Sequence, residues 1–429
     1  MPRERSKLRV LILEAGSGRG GSTTSLLHTL KHLNRDGIDP ILAFYFRNQG
    51  PDTDLIRTLG VPVRFAFNRA EPRAYVPFRF LLGRSKHRWV QIPKVLARLA
   101  VRWTLVEIPQ FFRLMGIIIR NHVDLVFVNN DIHYHVVGAL AAKMTRRPIV
   151  CNKAGGVGEG RRIKRILTPW VDVFMAPSTA MEQDQRIHNP TTKRLVTIPG
   201  GIDLDFFRPM SPSKDLLEEL EIDSDQKVIG SVSRFHPGKG QLELIEATAL
   251  IVREHPQTVC LLAGDDASPG APFYERLRAR VAELDLMAHV RFAGWRKDVL
   301  RILSVLDVFV HCPTTWVEGL PVSLLEAIAM GKPSVVSRNG GMPDAVVDGV
   351  TGFLVDPGDV PAMAARTLIL LRDASLAHAF GRRARELAEG NFSARVNTRR
   401  FEELLGEVVQ SHHGTNRRNP VRPTSPPFR

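Results

Sequence analysis

The chain alternates between apolar strand segments and segments of helical periodicity, and this order restricts it to a small class of folds. The segment LRVLILE at 8–14 leads into a glycine-rich turn, a helical run containing Leu26 and Leu30, and a second apolar segment at 40–46. The alternation resumes at 125 and continues to 198. Strands and helices in this order form a parallel sheet covered by helices on both faces. The sequence therefore predicts a doubly wound α/β domain.

The periodicity lapses at 199–201, which reads Pro-Gly-Gly, and a second strand–helix series runs from 228 to 359. Turn-forming residues cluster where domains are joined. We predict an N-terminal domain at 1–200, a C-terminal domain at 201–385, helices at 386–411 that pack back toward the N-terminal domain, and a disordered basic tail at 412–429. Ligands of such sheets bind at the carboxyl ends of the strands, so the cleft between the domains is the expected site.

Composition places the chain among cytoplasmic globular proteins. No apolar run reaches the roughly 18–20 residues of a spanning helix, and the first residues lead into a strand rather than a signal-peptide core. The three cysteines (Cys151, Cys260 and Cys312) are an odd number, widely spaced, in apolar surroundings. This pattern predicts reduced core residues and argues against a disulfide or zinc framework.

The net charge of +15 is concentrated in two stretches. The segment 76–123 carries nine basic residues against one acidic residue, and the tail adds four more arginines. Within 93–103 the helical pattern places cations on one face and apolar residues on another, which predicts binding to an anionic membrane surface. A solvated surface helix is the alternative, and no recognised nucleic-acid motif is present. The predicted membrane-binding residues are Lys94, Arg98, Arg102 and Trp103.

Two glutamates eight residues apart form the most informative pattern. Glu318 lies in a loop before a helix that begins near Pro321, and Glu326 lies early in that helix. The amino terminus of a helix offers unpaired N–H groups and partial positive charge to a phosphate. A carboxylate inside the helix can accept hydrogen bonds from a ribose diol. On spacing alone, a solvated helix residue and an ordinary turn at 340–341 remain the alternative.

Several motifs together resemble the retaining glycosyltransferases of family four, also described as glycosyl transferases group 1. They are the Glu-x7-Glu element, GGMPDAVVDGVTGFLV after it, PGGIDLDFFRP, VRFAGWRKDVLRILSVLDVFVHCP, and Arg234 with Lys239 upstream. The resemblance extends from 8 to about 410 and is strongest from 199 to 359. It implies the GT-B fold, an α/β architecture of two Rossmann-like, doubly wound domains that face each other across a deep cleft.

The resemblance also implies roles for individual residues. Glu326 would bind the donor ribose, and Glu318 would hold the transferred sugar and the distal phosphate together with Gly319, Leu320, Pro321 and Val322. Arg234 and Lys239 would stabilise the charge that builds on the departing diphosphate.

The family retains anomeric configuration, so paired carboxylates are not required and Glu318 is not expected to be a nucleophile. No metal or other cofactor is expected beside the nucleotide-diphosphate-sugar, which is a co-substrate. Relatives commonly use lipid-linked or glycan acceptors in lipopolysaccharide or polysaccharide synthesis, which implies a peripheral location on the inner face of the cytoplasmic membrane.

The acceptor side departs from the family pattern. The position that usually holds a histidine after the strand at 125–128 is Asn129, and His133 is the nearest histidine that follows. Gly18, Gly20 and Gly21 would let the backbone approach the acceptor or the donor phosphates.

Three alternatives to a glycosyltransferase remain. The Gly-x-Gly-x-x-Gly match to a dinucleotide fingerprint is opposed by the absence of an acidic residue after the second strand. Another GT-B enzyme, such as an epimerase or phosphorylase, is possible on fold alone. A non-catalytic protein that binds anionic membranes and keeps the fold is the third alternative.

Overall fold

The computed structural model describes residues 7–15, 20–47, 51–67, 103–153, 161–266, 268 and 270–414. Within these ranges the chain forms two parallel sheets, each covered by helices on both faces. The prediction of two doubly wound α/β domains is therefore confirmed.

The sheet of the N-terminal domain has the order β3-β2-β1-β4-β5-β6-β7, and every pairing in it is parallel. β1 and β4 occupy the centre, where the winding direction reverses, and both are almost completely buried. The carboxyl ends of neighbouring strands diverge at such a reversal and leave a crevice for ligands. The strands are β1 Leu8–Glu14, β2 Ile38–Phe44, β3 Val63–Phe65, β4 Leu125–Val128, β5 Ile149–Asn152, β6 Val173–Ala176 and β7 Leu195–Thr197.

The sheet of the C-terminal domain repeats this plan with the order β10-β9-β8-β11-β12-β13. Its reversal lies between β8 and β11, so the loops that follow these two strands open into one crevice. The strands are β8 Lys227–Val232, β9 Thr258–Ala263, β10 Val290–Gly294, β11 Val308–His311, β12 Ser334–Ser337 and β13 Gly352–Val355.

The helices cover both sheets. In the N-terminal domain they are α1 Gly21–His32, α2 Pro51–Thr58, α3 Ile108–Arg120, α4 Val136–Met144, α5 Arg161–Leu167 and α6 Thr179–His188. In the C-terminal domain they are α7 Lys214–Glu219, α8 Gln241–Glu254, α9 Pro272–Glu283, α10 Val299–Val305, α11 Val322–Ala329, α12 Met342–Ala345, α13 Val360–Arg372 and α14 Ala374–Asn391. The last described helix is α15 Ala394–Gly414. Short helical turns occupy Trp103–Glu107, Ile132–Tyr134 and Thr168–Trp170.

The chain crosses between the domains twice, and the two crossings lie side by side. A β-bridge joins Ile202 to Ser393. Gly201 packs closely against the backbone of Ala394, so that a Cβ added to Gly201 would lie 2.3 Å from the Cα of Ala394. After the second crossing α15 packs on α1, and Phe401 inserts into the core of the N-terminal domain with its ring centroid 4.8 Å from that of Phe127.

The division of the C-terminal helices differs from the sequence-based boundaries. α14 packs on α11 of the C-terminal domain as far as Asn391, so the return to the N-terminal domain begins after that residue rather than at 386. α15 continues to Gly414 and therefore includes the first three residues of the segment predicted as a disordered tail. α2, β3, α3 and α12 were also not foreseen, because they are short or lie in segments of mixed polarity. The predicted helix at 93–103 lies outside the described residues except for Trp103.

Candidate functional site

The crevice of the C-terminal domain brings Lys239 and Glu318 together. Lys239 follows β8 and Glu318 follows β11, and the lysine ammonium donates a hydrogen bond to Glu318 Oε1. Both side chains are mostly buried, at 12% and 13% exposure. Both residues are predicted from the sequence to lie on the donor side, and the structure brings their charged groups into direct contact.

Two glycines allow this approach. Gly238 and Gly240 flank Lys239 and both have positive φ, of +95° and +87°. A Cβ at Gly240 would lie 2.1 Å from the carbonyl oxygen of Cys312, and one at Gly238 would lie 2.4 Å from Thr315 Oγ1. Only glycine therefore satisfies both the backbone conformation and the space, and the loop after β8 lies flat against the loop after β11.

Glu318 is held as an anion in this setting. Burial alone would raise the pKa of its carboxyl, but a hydrogen bond from His311 and the positive charge of Lys239 together lower that pKa to about 2. His311 Nε2 lies 3.4 Å from Glu318 Oε1. The arrangement is a fixed carboxylate–ammonium pair at the mouth of the crevice.

Arg234 and Lys239 share the face of an aromatic ring. The guanidinium carbon of Arg234 lies 5.8 Å from the centre of the Trp316 ring, and the Lys239 ammonium lies 5.1 Å from it. Such contacts orient cations without neutralising them. Arg234 is exposed, so a bound anion can reach both cations.

Glu326 is a buried acid in the middle of α11. It is 5% exposed, and within the described part of the chain its side chain has no hydrogen-bond partner. Burial raises the pKa of this carboxyl to about 8. A buried carboxyl without a protein partner is costly to the fold and indicates a group kept for a ligand. The alternative of a solvated helix residue is wrong.

The amino termini of two helices face each other across the cleft. α11 begins at Val322 after Pro321, without a side-chain cap. α1 begins at Gly21, and a Cβ on Gly21 would lie 3.8 Å from Val322 Cγ2. Gly20 has a φ of +134°, and Gly18 lies outside the described residues. Both uncapped termini direct backbone N–H groups toward the same region, which favours an anion there.

The pair Gly340–Gly341 supports the loop that carries Glu318. A Cβ at Gly340 would lie 1.9 Å from the carbonyl oxygen of Glu318, and one at Gly341 would lie 1.9 Å from that of Gly319. The Gly341 N–H donates to the Glu318 carbonyl at 3.0 Å. These glycines are required by close backbone contact and are not an ordinary turn.

The N-terminal domain contacts the same loop. Ser178 Oγ donates to the carbonyl oxygen of Gly319 at 2.7 Å, although the same hydroxyl caps α6. Thr179 donates twice to the Asp344 carboxylate, from its N–H at 2.7 Å and from its hydroxyl at 2.6 Å. The loop between Glu318 and α11 is therefore held from both domains.

Asn129, which was predicted to lie on the acceptor side, connects neighbouring segments of the N-terminal domain. Its amide donates to Glu14 and to the carbonyl oxygen of Ser22, and its oxygen accepts from Asn152 at 3.2 Å. These contacts join the ends of β1, β4 and β5 to the start of α1. His133 lies in the short turn at Ile132–Tyr134, half-buried and packed on the ring of Tyr134.

In the Asp203-Leu-Asp205 sequence, the carboxylate of Asp203 is held by contacts within the protein. Asp203 accepts hydrogen bonds from the N–H groups of Asp205 and Phe206 and pairs with Lys31 of α1, at the crossing between the domains. Both oxygens of the Asp203 carboxylate are engaged by these contacts.

The predicted membrane-binding cations Lys94, Arg98 and Arg102 lie outside the described residues. Trp103 is 43% exposed, and α3, which follows it, leaves Phe112 65% exposed. Within the part of the chain that the structure describes, no helix is both long enough and apolar enough to span a membrane.

Comparison with known proteins decides the family. The model described as "Glycosyltransferase Family 4" matches residues 19–206, and the model described as "Glycosyl transferases group 1" matches residues 213–387. The chain belongs to the family 4 glycosyltransferases. The two matches follow the two domains in order.

Two relatives and one solved structure illustrate the likeness of this family 4 chain to other members. It is 34% identical over 215 residues to the GDP-mannose-dependent alpha-(1-6)-phosphatidylinositol monomannoside mannosyltransferase of Mycolicibacterium smegmatis, across 48% of this chain and 55% of the relative. It is 25% identical over 289 residues to the UDP-Gal:alpha-D-GlcNAc-diphosphoundecaprenol alpha-1,3-galactosyltransferase of Escherichia coli, across 64% and 73%. The crystal structure of Anabaena HepE in complex with UDP and glucose superposes with a TM-score of 0.77 at 23% identity, across 93% of this chain and 100% of that one. This last likeness shows the GT-B fold.

Three parts of the site were not foreseen from the sequence of this family 4 chain. His311 appears in the sequence as the end of an apolar strand, and Trp316 as one aromatic in a loop. The contact of Ser178 with Gly319 joins residues 141 positions apart. The only sequence signal for these features is that His311 and Trp316 are close to Glu318 in the chain.

Proposed function

We propose that the chain transfers a sugar from a nucleotide-diphosphate-sugar to an acceptor, with retention of anomeric configuration and without a catalytic metal. The proposal rests on two features at the same helix, α11. The Lys239–Glu318 pair before the helix suits a diphosphate and a sugar. The buried carboxyl of Glu326 within it, which has no partner among the described residues, suits a ribose.

The charges at the crevice match what a departing diphosphate requires. Arg234 and Lys239 both lie over the Trp316 ring, and Lys239 contacts Glu318 in the loop that leads to α11. Fixed cations that meet charge as it develops lower the barrier more than they strengthen ground-state binding. They offer the stabilisation that a metal ion supplies in other transferases, and this supports the proposal that no metal is needed.

Glu318 is proposed to bind hydroxyl groups of the transferred sugar. Its Oε1 is engaged by Lys239 and His311, and within the described residues Oε2 has no partner. The opposing face of the cleft is formed by the start of α1. Membership of family 4 supports retention, and transfer from the front face does not require a pair of carboxylates that flank the scissile bond.

For the nucleotide base and the acceptor, we propose a chemical class rather than one compound. The two relatives named above use GDP-mannose and UDP-galactose by their names, and their acceptors are a phosphatidylinositol monomannoside and an undecaprenol-linked sugar. We infer a lipid-linked or glycan acceptor in cell-envelope synthesis. Exposed Trp103 and Phe112, beside Arg113 of α3, support attachment to an anionic membrane surface at the cytoplasmic face.

The donor proposal is tested by calorimetric titration of UDP-sugars and GDP-sugars in the presence of EDTA. We expect one donor to bind at micromolar to millimolar concentration, and the Glu326→Ala variant to bind it at least about tenfold more weakly while still unfolding in one cooperative thermal transition. Product anomeric configuration is then read by NMR. Absence of binding by every donor, or an inverted product, contradicts the proposal.

The membrane proposal has a separate test. Flotation with vesicles that contain anionic lipid should weaken when Lys94, Arg98 and Arg102 are neutralised together, and it should weaken with added salt. A matched variant neutralising Arg372, Arg382 and Arg383 of the C-terminal domain controls for total charge. Equal flotation of both variants argues against this surface.

A further inference from the structure

A buried histidine lies directly behind Glu318. His311 is the last residue of β11 and is 1% exposed, and Val308, Phe309 and Val310 before it are fully buried apolar residues. A polar ring in such a position costs free energy unless its nitrogens are satisfied. An apolar side chain would fill the strand position without that cost, so the histidine requires a reason beyond packing.

Both ring nitrogens of His311 have polar partners. Nε2 lies 3.4 Å from Glu318 Oε1, and Nδ1 lies 3.4 Å from the hydroxyl of Ser231 on the adjacent strand β8. Ser231 is itself 5% exposed. An ionised Glu318 can only accept, so Nε2 carries the hydrogen, and in the neutral imidazole Nδ1 then accepts from the Ser231 hydroxyl. One tautomer satisfies the whole chain of contacts.

We propose that His311 and Ser231 are positioning residues for the transfer reaction: they fix the carboxylate of Glu318 in the orientation in which it meets Lys239 and presents Oε2 to the donor. The inference rests on the proposed function, because the role of Glu318 in the donor site is part of that function. The arrangement has the logic of a functional group oriented by a second residue that is oriented by a third.

Two further observations support this role. Lys239 and His311 both approach Oε1, so the carboxylate is held from two directions and cannot rotate without losing one contact. The hydrogen bond from His311 also keeps the pKa of Glu318 low against the effect of burial. Without it, the carboxyl would depend on Lys239 alone, and Lys239 is the cation that must also serve the diphosphate.

The kinetic test compares His311→Leu, His311→Gln, Ser231→Ala and the double variant His311→Leu/Ser231→Ala with the wild-type chain. The measured quantities are kcat and KM for the donor and the calorimetric Kd of UDP and GDP. We expect His311→Leu to lower kcat by about 10- to 100-fold, as for loss of a hydrogen bond to a charged group. The Kd of the nucleotide should change less than about threefold, because His311 is 1% exposed and lies behind Glu318.

The remaining variants separate positioning from packing. His311→Gln keeps an N–H donor and should recover part of the rate, and Ser231→Ala should lower kcat by about two- to tenfold. The double variant should be no slower than His311→Leu, because Ser231 acts through the histidine. A folded His311→Leu protein with wild-type kcat, or strictly multiplicative effects in the double variant, overturns the proposal. If His311→Leu does not fold, the result for Ser231→Ala decides.

A spectroscopic test does not depend on turnover. In ¹⁵N-histidine NMR spectra, the signal that disappears in His311→Gln should have the pattern of the neutral Nε2–H tautomer, and its Nδ1 shift should change in Ser231→Ala. The other tautomer contradicts the inference. Failure of every donor to react with the wild-type protein would refute the proposed function, and a correct tautomer in that case would still establish the contacts.

Discussion

If Glu326 binds the donor ribose as proposed, its buried carboxyl should make donor binding a proton-linked reaction. With a pKa raised to about 8, the carboxyl of the free protein is about nine-tenths protonated at pH 7. A ribose diol donates two hydrogen bonds best to an ionised carboxylate, so binding should lower this pKa and release a proton. Ionising the group at pH 7 costs about 1.4 kcal/mol of the binding free energy, and this cost disappears above pH 8.

The expected consequence is a donor affinity that rises about tenfold between pH 6 and pH 7 and levels off near pH 8. About 0.9 proton should be released per donor bound at pH 7. Calorimetry in buffers of different ionisation enthalpy measures this number. The ligand should be a nucleotide sugar, because the terminal phosphate of a free nucleoside diphosphate itself titrates near neutrality.

The Glu326→Gln variant is the matched control, because it keeps the shape and cannot ionise. It should bind the donor more weakly at pH 8 and show no proton release. The same carboxyl also affects the free protein: between its unfolded pKa of 4.5 and its folded pKa of about 8, the folded chain holds a proton that the unfolded chain gives up. Stability therefore falls as pH rises through this window, by at most about 5 kcal/mol, and Glu326→Gln should remove that dependence. Equal proton release by the wild-type and Gln variants would refute the reasoning.

Three further predictions concern the surrounding structure. Lys239→Met should lower kcat at least about tenfold with a smaller effect on nucleotide affinity, measured by donor turnover and calorimetry, because the cation serves the leaving group. Lys153→Met should lower the free energy of unfolding by about 1–3 kcal/mol in urea titrations, because Asp184 would lose its 2.8 Å contact with this 1% exposed lysine and keep its 2.9 Å contact with His188. Gly341→Ala should reduce turnover more than stability, because its Cβ would meet the Gly319 carbonyl at 1.9 Å; unchanged turnover would show that the loop yields freely.

The residues of the proposed donor site could be selected from the sequence because they lie in short, local motifs. Glu318 and Glu326 lie on either side of one helix start, and Lys239 follows one strand, so a short motif specifies each of them. Their relative placement depends on the reversal in strand order between β8 and β11, which the alternation of strands and helices does not specify. The sequence therefore predicted the fold class, and the structure brings together Lys239 and Glu318, two of the residues predicted for the donor side.

The parts that were missed depend on contacts between distant segments. The position of Lys153 after a strand suggests an exposed loop lysine, yet it is buried because Asp184 of α6 and Asp131 after β4 converge on it. The orientation of His311 depends on Ser231, which is 80 positions earlier. Hydrophobic periodicity predicts which face of a helix or strand is buried. It does not predict which buried polar group a side chain will pair with.

The loop between Glu318 and α11 makes some of its contacts with the N-terminal domain. Its structure therefore depends on whether the two domains are closed together. Gly319 accepts from Ser178, and Asp344 accepts twice from Thr179, so opening the cleft breaks three hydrogen bonds at this edge. Each net hydrogen bond contributes about 0.5–1.5 kcal/mol, which is small enough for opening to remain accessible. The paired crossings at Ile202 and Ser393 provide a second connection between the domains, through the backbone. For the proposed transfer, the consequence is that the loop beside Glu318 reaches its full set of contacts when the acceptor domain is in place, which limits loss of the sugar to water.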